Sequence, residues 1–265
     1  MSDSPDYTVA DDLAVALTLA AEADLIAMDR YLSQDLGIQL KADKSIVTDA
    51  DTRVERMIRA HLAEARPEDA VLGEEFGSEG SSRRQWIVDP IDGTSNFARG
   101  VPIWGALIAL VVDGVPVVGV VSAPALGRRW WGASGHGAWL QQDGGEPHRI
   151  RVSGVDSLTE ATLSYNNLQT WDQYGYLDRL VALARGVGRT RAFGDLWSYM
   201  LVAEGAIDIA GEFDVKPWDI AALVPIVAEA GGRVTTVTGG TALDELSVVA
   251  SNGLLHDEVL AALAG

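Results

Sequence analysis

Trp86-Ile87-Val88-Asp89-Pro90-Ile91-Asp92-Gly93-Thr94-Ser95-Asn96-Phe97 is the stretch on which the reading of this chain turns. Three β-prone residues lead into Asp89, so a short strand ends by delivering a carboxylate. Pro90 stiffens the bend and Asp92 follows three residues later, so both acids point into one volume. Carboxylates so close repel unless a cation lies between them. Mg²⁺ suits the place, because it favours carboxylate, carbonyl and water oxygens, and the Ile91 carbonyl is a neutral donor beside the acids. The hexapeptide also reads as an ordinary Asp-Gly turn with a capping Asp. Gly93-Thr94-Ser95-Asn96 resembles a helix start, whose free N–H groups and positive dipole end hold a phosphate oxygen.

Working outward toward the N-terminus, Val71-Leu72-Gly73 is a second short strand delivering Glu74 and Glu75. Before it, Thr48-Asp49-Ala50-Asp51 is a capping-box pattern that opens a helix running to about Ala65. Leu13, Leu17, Ala20, Ala21, Leu25, Met28 and Leu32 fall at helical spacing, which predicts a long first helix with that stripe in the core. Toward the C-terminus, two apolar runs between Trp104 and Val121 flank Asp113-Gly114, a hairpin signal. Trp130-Trp131 and Gly137 to Gln142 read as further antiparallel strands. After Arg151 the pattern becomes strand and helix in alternation: a strand at 162–165, helices near 174–184, 196–204 and 218–230, strands at 234–237 and 247–250, and a closing helix at 254–263. The expected organisation is an α+β sub-domain with an antiparallel sheet over 1–155, packed against an α/β sub-domain over 156–265.

Composition narrows the chemistry. The 265 residues carry 38 acidic against 20 basic side chains, a net charge of −18, which opposes nucleic-acid phosphates and anionic membranes as partners. Bulk acidity also serves solubility alone. With no cysteine, thiolate metal sites and thiol nucleophiles are excluded. The start, Met1 to Asp6, has neither a basic cluster nor an apolar run, and no window has the apolar length of a membrane span, so a cytoplasmic location is expected.

At this point the motifs together resemble the inositol monophosphatase family. Trp86 to Phe97 looks like its signature, and Trp218-Asp219-Ile220-Ala221-Ala222 with Glu229-Ala230-Gly231-Gly232 is similar to its C-terminal motif. Gly73-Glu74-Glu75 matches its glutamate motif, while Lys41, Asp43, Ser45, Val47, Thr48, Ala50 and Asp51 match its N-terminal loop. The resemblance implies a layered αβαβα sandwich. It also implies two to three Mg²⁺ ions, with Mn²⁺ able to substitute, and inhibition by lithium. By the same resemblance Glu74, Asp89 and the Ile91 carbonyl hold one ion, and Asp89, Asp92 and Asp219 a second. Asp51 and Thr94 become the pair that orients and deprotonates the attacking water. Gly93, Thr94 and Ser95 meet the substrate, as Asp92 and Asp219 do. Asp51 has a rival explanation as the last member of its capping box, and the two roles are compatible. Glu75 reads as a solvated neighbour of Glu74, and Lys41 as either a loop anchor or plain surface. Trp104 is a candidate for the pocket wall, and the remaining tryptophans read mostly as core.

Specificity is expected around Gly194-Asp195 and Glu212. Gly194-Asp195, the aromatic-rich turn after it, Val101-Pro102 and Ser122 to Leu126 resemble the branch of the family that hydrolyses L-histidinol phosphate. That substrate carries an ammonium group and a titratable imidazole, for which Asp195 and Glu212 are suitable partners. Asp195 also reads as a helix N-cap, Glu212 as a surface or salt-bridged acid, and Arg191 as either a substrate contact or an ion-pair partner of Asp195. The competing functions are an inositol monophosphatase or broader small-molecule phosphatase, and a regulatory binding protein on the same fold. A homodimer is implied by the resemblance alone.

Overall fold

The computed structural model describes residues 7–33, 35–41 and 46–265. The expectations for Met1 to Asp6, Asp43 and Ser45 lie outside the described residues.

The chain opens with α1 (Val9–Arg30), then β1 (Gln39–Leu40), β2 (Ile46–Val47) and α2 (Asp49–Ala65). The first sheet is made by β3 (Ala70–Gly73), β4 (Gly77–Glu79), β5 (Arg84–Asp92), β6 (Gly105–Val112), β7 (Val115–Ala123), β8 (Arg128–Ala133), β9 (Gly137–Gln142) and β10 (His148–Arg149), with the short α3 (Thr94–Ala98) between β5 and β6. The rest comprises β11 (Thr162–Tyr165), α4 (Leu168–Gln173), α5 (Leu177–Gly186), β12 (Arg189–Arg191), α6 (Asp195–Ala203), β13 (Ile209–Phe213), α7 (Pro217–Ile220), α8 (Leu223–Glu229), β14 (Arg233–Thr235), β15 (Ser247–Ser251) and α9 (His256–Ala264).

These elements stack as five layers. The eight-stranded sheet runs β10-β9-β8-β7-β6-β5-β3-β4 and the five-stranded one β12-β11-β13-β15-β14. Successive residues of a strand face opposite sides, so Ala106, Ile108 and Leu110 of β6 pack under α1 and α2, whereas Leu107, Ala109 and Val111 face α6 and α8. Burial on both faces is why β6 reads as an unbroken apolar run. The far side of the small sheet is closed by α4, α5 and α9 through Trp171, Leu180, Val259 and Leu263. The result is the αβαβα sandwich that the resemblance implied.

Four local expectations need correction. The large sheet is mixed, because β3 pairs with β5 in parallel. On α1 the buried apolar positions are Ala16, Leu19, Ala20, Ala23 and Ala27, of which the expected stripe held only Ala20, while Leu25 and Leu32 are 74% and 69% exposed. Small residues let the helix lie close on β6 and β7, which turns the larger ones outward. The helix expected at 174–184 begins only at Leu177, as α5, because Gly175 turns the chain in a left-handed conformation at φ 76°, and α4 before it was not expected. The one expected at 218–230 is split at Ala221-Ala222 into α7 and α8.

His256 fastens the C-terminal helix to the small sheet. It is fully buried, with Nε2 2.9 Å from Thr235 Oγ1 and Nδ1 2.9 Å from Ser251 Oγ. Burial first, then the positive charge of Arg233, pushes its pKa down to about 4 from 6.5. Between these values the unfolded chain binds the extra proton, so this group's contribution is complete above about 6.5 and is lost as pH falls toward about 4. Relative to a His256→Gln variant, the wild type is expected to lose urea resistance across that window.

Candidate active site

Four elements converge on one acidic volume. The end of β5 supplies Asp89 and Asp92, and a register shift between these residues against β6 bends the strand so that both carboxylates face the same side. Asp89 Oδ1 accepts the Ile91 N–H at 2.9 Å, which fixes its rotamer. From the small sheet, the chain leaves β13 and enters α7, where Asp219 accepts the Lys216 N–H at 2.7 Å. Carboxylate oxygens of Asp89, Asp92 and Asp219 lie within 4.8 Å of one another. Among the described residues, no ion pair engages any of the three.

Burial raises all three pKa values, and like charge adds to it: from Glu74 on Asp89, from Asp195 on Asp92, and from Glu74 on Asp219. Buried carboxylates that share a site without a counter-charge must bind protons or a cation. An all-oxygen donor set fits a hard divalent ion. A cation held there by Asp89, Asp92 and Asp219 would supply charge neutralisation and Lewis acidity.

Glu74 sits at the turn after β3, its N–H donating to the Val88 carbonyl at 3.2 Å, so it lies beside the strand that carries Asp89. Its carboxylate accepts from Lys41 Nζ at 2.7 Å, and the same ammonium group reaches Glu75 at 2.7 Å. Lys41 is therefore a loop anchor. Glu75 is not solvated: its side chain is 6% exposed and burial pushes its pKa up to about 7.

On α2, the two oxygens of Asp51 have different partners. Oδ2 accepts from the Thr48 N–H at 2.8 Å and the Thr48 hydroxyl at 2.5 Å, closing the capping box. Oδ1 is 3.3 Å from Thr94 Oγ1, which also reaches the Ile91 carbonyl at 2.9 Å. Burial, opposed by the Thr48 hydrogen bonds and assisted by Glu74, pushes Asp51 up to about 6.

Gly93 makes the turn from β5 into α3. It sits at φ 80°, and a Cβ there would stand 2.9 Å from the Ile103 carbonyl, so only glycine fits. Thr94 and Ser95 follow as the first helical residues, and their N–H groups have no carbonyl one turn back within the helix. Ser95 is exposed. Trp104, expected on the pocket wall, is 1% exposed and packs in the core against Phe97 and Tyr31.

The specificity residues divide. Asp195 does not cap its helix: Gly194 holds the cap position, and Asp195 Oδ2 instead accepts from Asn96 Nδ2 at 3.0 Å. The N-terminus of α6 is met from outside, by Asp92 Oδ2 accepting the Leu196 N–H at 2.6 Å. Glu212 is buried rather than a surface acid, accepts the Tyr199 hydroxyl at 3.0 Å, and is pushed up to about 8 by burial and then by Asp195. Arg191 is not brought to the cluster: it is exposed, donates to the Thr190 carbonyl at 2.7 Å and makes no ion pair with Asp195. Sequence reasoning missed Glu55 and Asn96, both of which hold site residues in place; Asn96 lies inside the signature itself.

The chain belongs to the inositol monophosphatase family, whose model matches residues 9–265. Among individual proteins, it is 55% identical over 254 residues to the histidinol-phosphatase of Mycobacterium tuberculosis, covering 96% of this chain and 98% of that one. It is 48% identical over 260 residues to the histidinol-phosphatase of Streptomyces coelicolor, covering 97% of each. The solved structure of the extragenic suppressor protein SuhB from Bartonella henselae superposes with a TM-score of 0.87 at 30% identity, covering 95% of this chain and 98% of that one.

Proposed function

We propose that this protein is a Mg²⁺-dependent phosphatase that hydrolyses L-histidinol phosphate to L-histidinol and phosphate, a step of histidine biosynthesis. The observation that carries the reading is a second acidic pair, Asp195 and Glu212, beside the triad of Asp89, Asp92 and Asp219. A phosphate ester of a polyol needs no such charge, whereas the ammonium and imidazole of histidinol do. The near full-length likeness to two histidinol-phosphatases supports the same substrate.

In this reading Glu74, Asp89, the Ile91 carbonyl, Asp92 and Asp219 hold the cations, with Mn²⁺ able to replace Mg²⁺. The N–H groups of Gly93, Thr94 and Ser95 hold phosphate oxygens. Thr94 orients the attacking water and Asp51 takes its proton. The water oxygen bonds to phosphorus as the ester P–O bond breaks, and the histidinol oxygen leaves and is protonated. Arg191 is retained as a substrate contact that would have to swing inward from the Thr190 carbonyl. We further read the chain as two sub-domains, 1–155 and 156–265, working in the cytoplasm as a homodimer. The change of sheet between Arg149 and Thr162 supports the division, and the exposed Leu25, Met28 and Leu32 offer an apolar face for association. No helix among the described residues is long and apolar enough to cross a membrane.

Asp195→Asn is expected to lower kcat/KM for L-histidinol phosphate by about tenfold, or roughly 1.4 kcal/mol, while changing that for inositol 1-phosphate less than about twofold. Equal losses on the two esters would reduce Asp195 to a partner of Asn96.

A further inference from the structure

The turn that presents Glu74 is supported from beneath by α2, one helical turn beyond Asp51. Glu55 is fully buried there, with Oε2 accepting the Glu75 N–H at 2.7 Å and Oε1 the Phe76 N–H at 3.2 Å. Its counter-charge is Arg59, whose Nε lies 2.9 Å from Oε1. The carboxylate reaches this position because residue 73 has no side chain: a Cβ on Gly73 would stand 2.0 Å from Oε1. Arg59 ties off the far side of the turn through the Gly77 carbonyl at 2.5 Å.

We propose that Glu55 is a positioning residue of the cation site, a carboxylate that touches neither substrate nor ion and sets where Glu74 stands. The inference rests on reading Glu74 as a cation ligand. A buried charge pair is often no more stabilising than an apolar pair of the same volume, so bulk stability is a poor account of this one. Its hydrogen bonds go to the turn that carries Glu74. Because Asp51 and Glu55 are four residues apart they share one face of α2, and that face sets the distance between the base and the ligand turn. Removing the Glu55 charge leaves two backbone amides and Arg59 competing for one neutral acceptor, and the turn relaxes.

The test uses the full chain and Mn²⁺ as the probe, with binding followed by electron paramagnetic resonance at fixed pH and salt. Glu55→Gln is expected to weaken Mn²⁺ binding by about tenfold, the scale seen when groups that orient metal ligands are removed. Its kcat is expected to recover to within about twofold at saturating metal. Affinity within about twofold of wild type, with only a lower Tm, would overturn the proposal and make Glu55 a fold residue. Glu74→Gln is measured beside it. If that variant binds Mn²⁺ as tightly as wild type, the ligand reading fails on its own account. If Glu74→Gln weakens binding and Glu55→Gln does not, the positioning inference alone falls. Should Glu55→Gln not fold, Arg59→Gln takes its place, and unchanged Mn²⁺ affinity there is equally fatal.

Discussion

Asp89→Asn is expected to lower kcat by about a thousandfold or more, roughly 4 kcal/mol of transition-state stabilisation, and to raise the Tm of the metal-free protein at the same time. Both effects come from the same geometry. Asp89 is 2% exposed, its oxygens lie within 4.8 Å of those of Asp92 and Asp219, and Glu74 adds further negative charge. Asparagine keeps the acceptor for the Ile91 N–H, so the β5 bend survives. It loses the anionic donor that faces the whole cluster, and with it the cation site on which the proposed chemistry depends. Without metal, those repulsions oppose folding, and relieving about 1 kcal/mol of them would lift Tm by about 2 °C or more in a chain of this size. Steady-state rates in Mg²⁺ and thermal melts in a chelator measure the two. A variant that is inactive because it is unstable would lose Tm in the chelator instead.

Asp51→Asn is expected to lower kcat by about a hundredfold to a thousandfold with little change in cation binding. The amide oxygen can still accept from Thr48, keeping the capping box, so the helix loses at most about 1 kcal/mol. The NH₂ group then occupies the place of Oδ1 beside Thr94, where it cannot take a proton. Burial pushes the Asp51 carboxyl up to about 6, within the range that serves a general base near neutral pH. Comparing kcat with Mn²⁺ affinity separates this loss from that of Asp89→Asn, which should impair both. If Asp51→Asn binds Mn²⁺ poorly, the residue belongs to the metal cage and another group takes the proton.

Local chemistry was the most legible part. Asp89, Asp92, Gly93 and Thr94 could be placed from twelve consecutive residues because a strand end, a bend and a helix start each carry their own signal. Thr48 and Asp51 were legible for the same reason, since a capping box closes within four residues. Contacts between distant segments were not. Asp195 looked like an N-cap because its own neighbours favour one; the acceptor for Leu196 N–H comes instead from Asp92, 104 residues away. Nothing near Glu75 in sequence announces Lys41 as its partner.

Glu55 did leave a trace. It falls at i, i+3 and i+7 with Ile58 and Leu62 on the buried face of α2, where an acid needs a reason to be. The long first helix shows the opposite failure. Periodicity placed a helix and the buried Ala20 correctly but put Leu25 and Leu32 in the core, whereas close approach to the sheet selects Ala16, Ala23 and Ala27.

Recognition of a cationic phosphate ester beside the cation cluster is tested most directly by kcat/KM for L-histidinol phosphate and inositol 1-phosphate, side by side in saturating Mg²⁺ on the purified full chain. A preference for L-histidinol phosphate of at least about tenfold, or about 1.4 kcal/mol in transition-state binding, is expected. A tenfold preference for the inositol ester would contradict it, leaving the cation site intact and taking Asp195 and Glu212 out of substrate recognition.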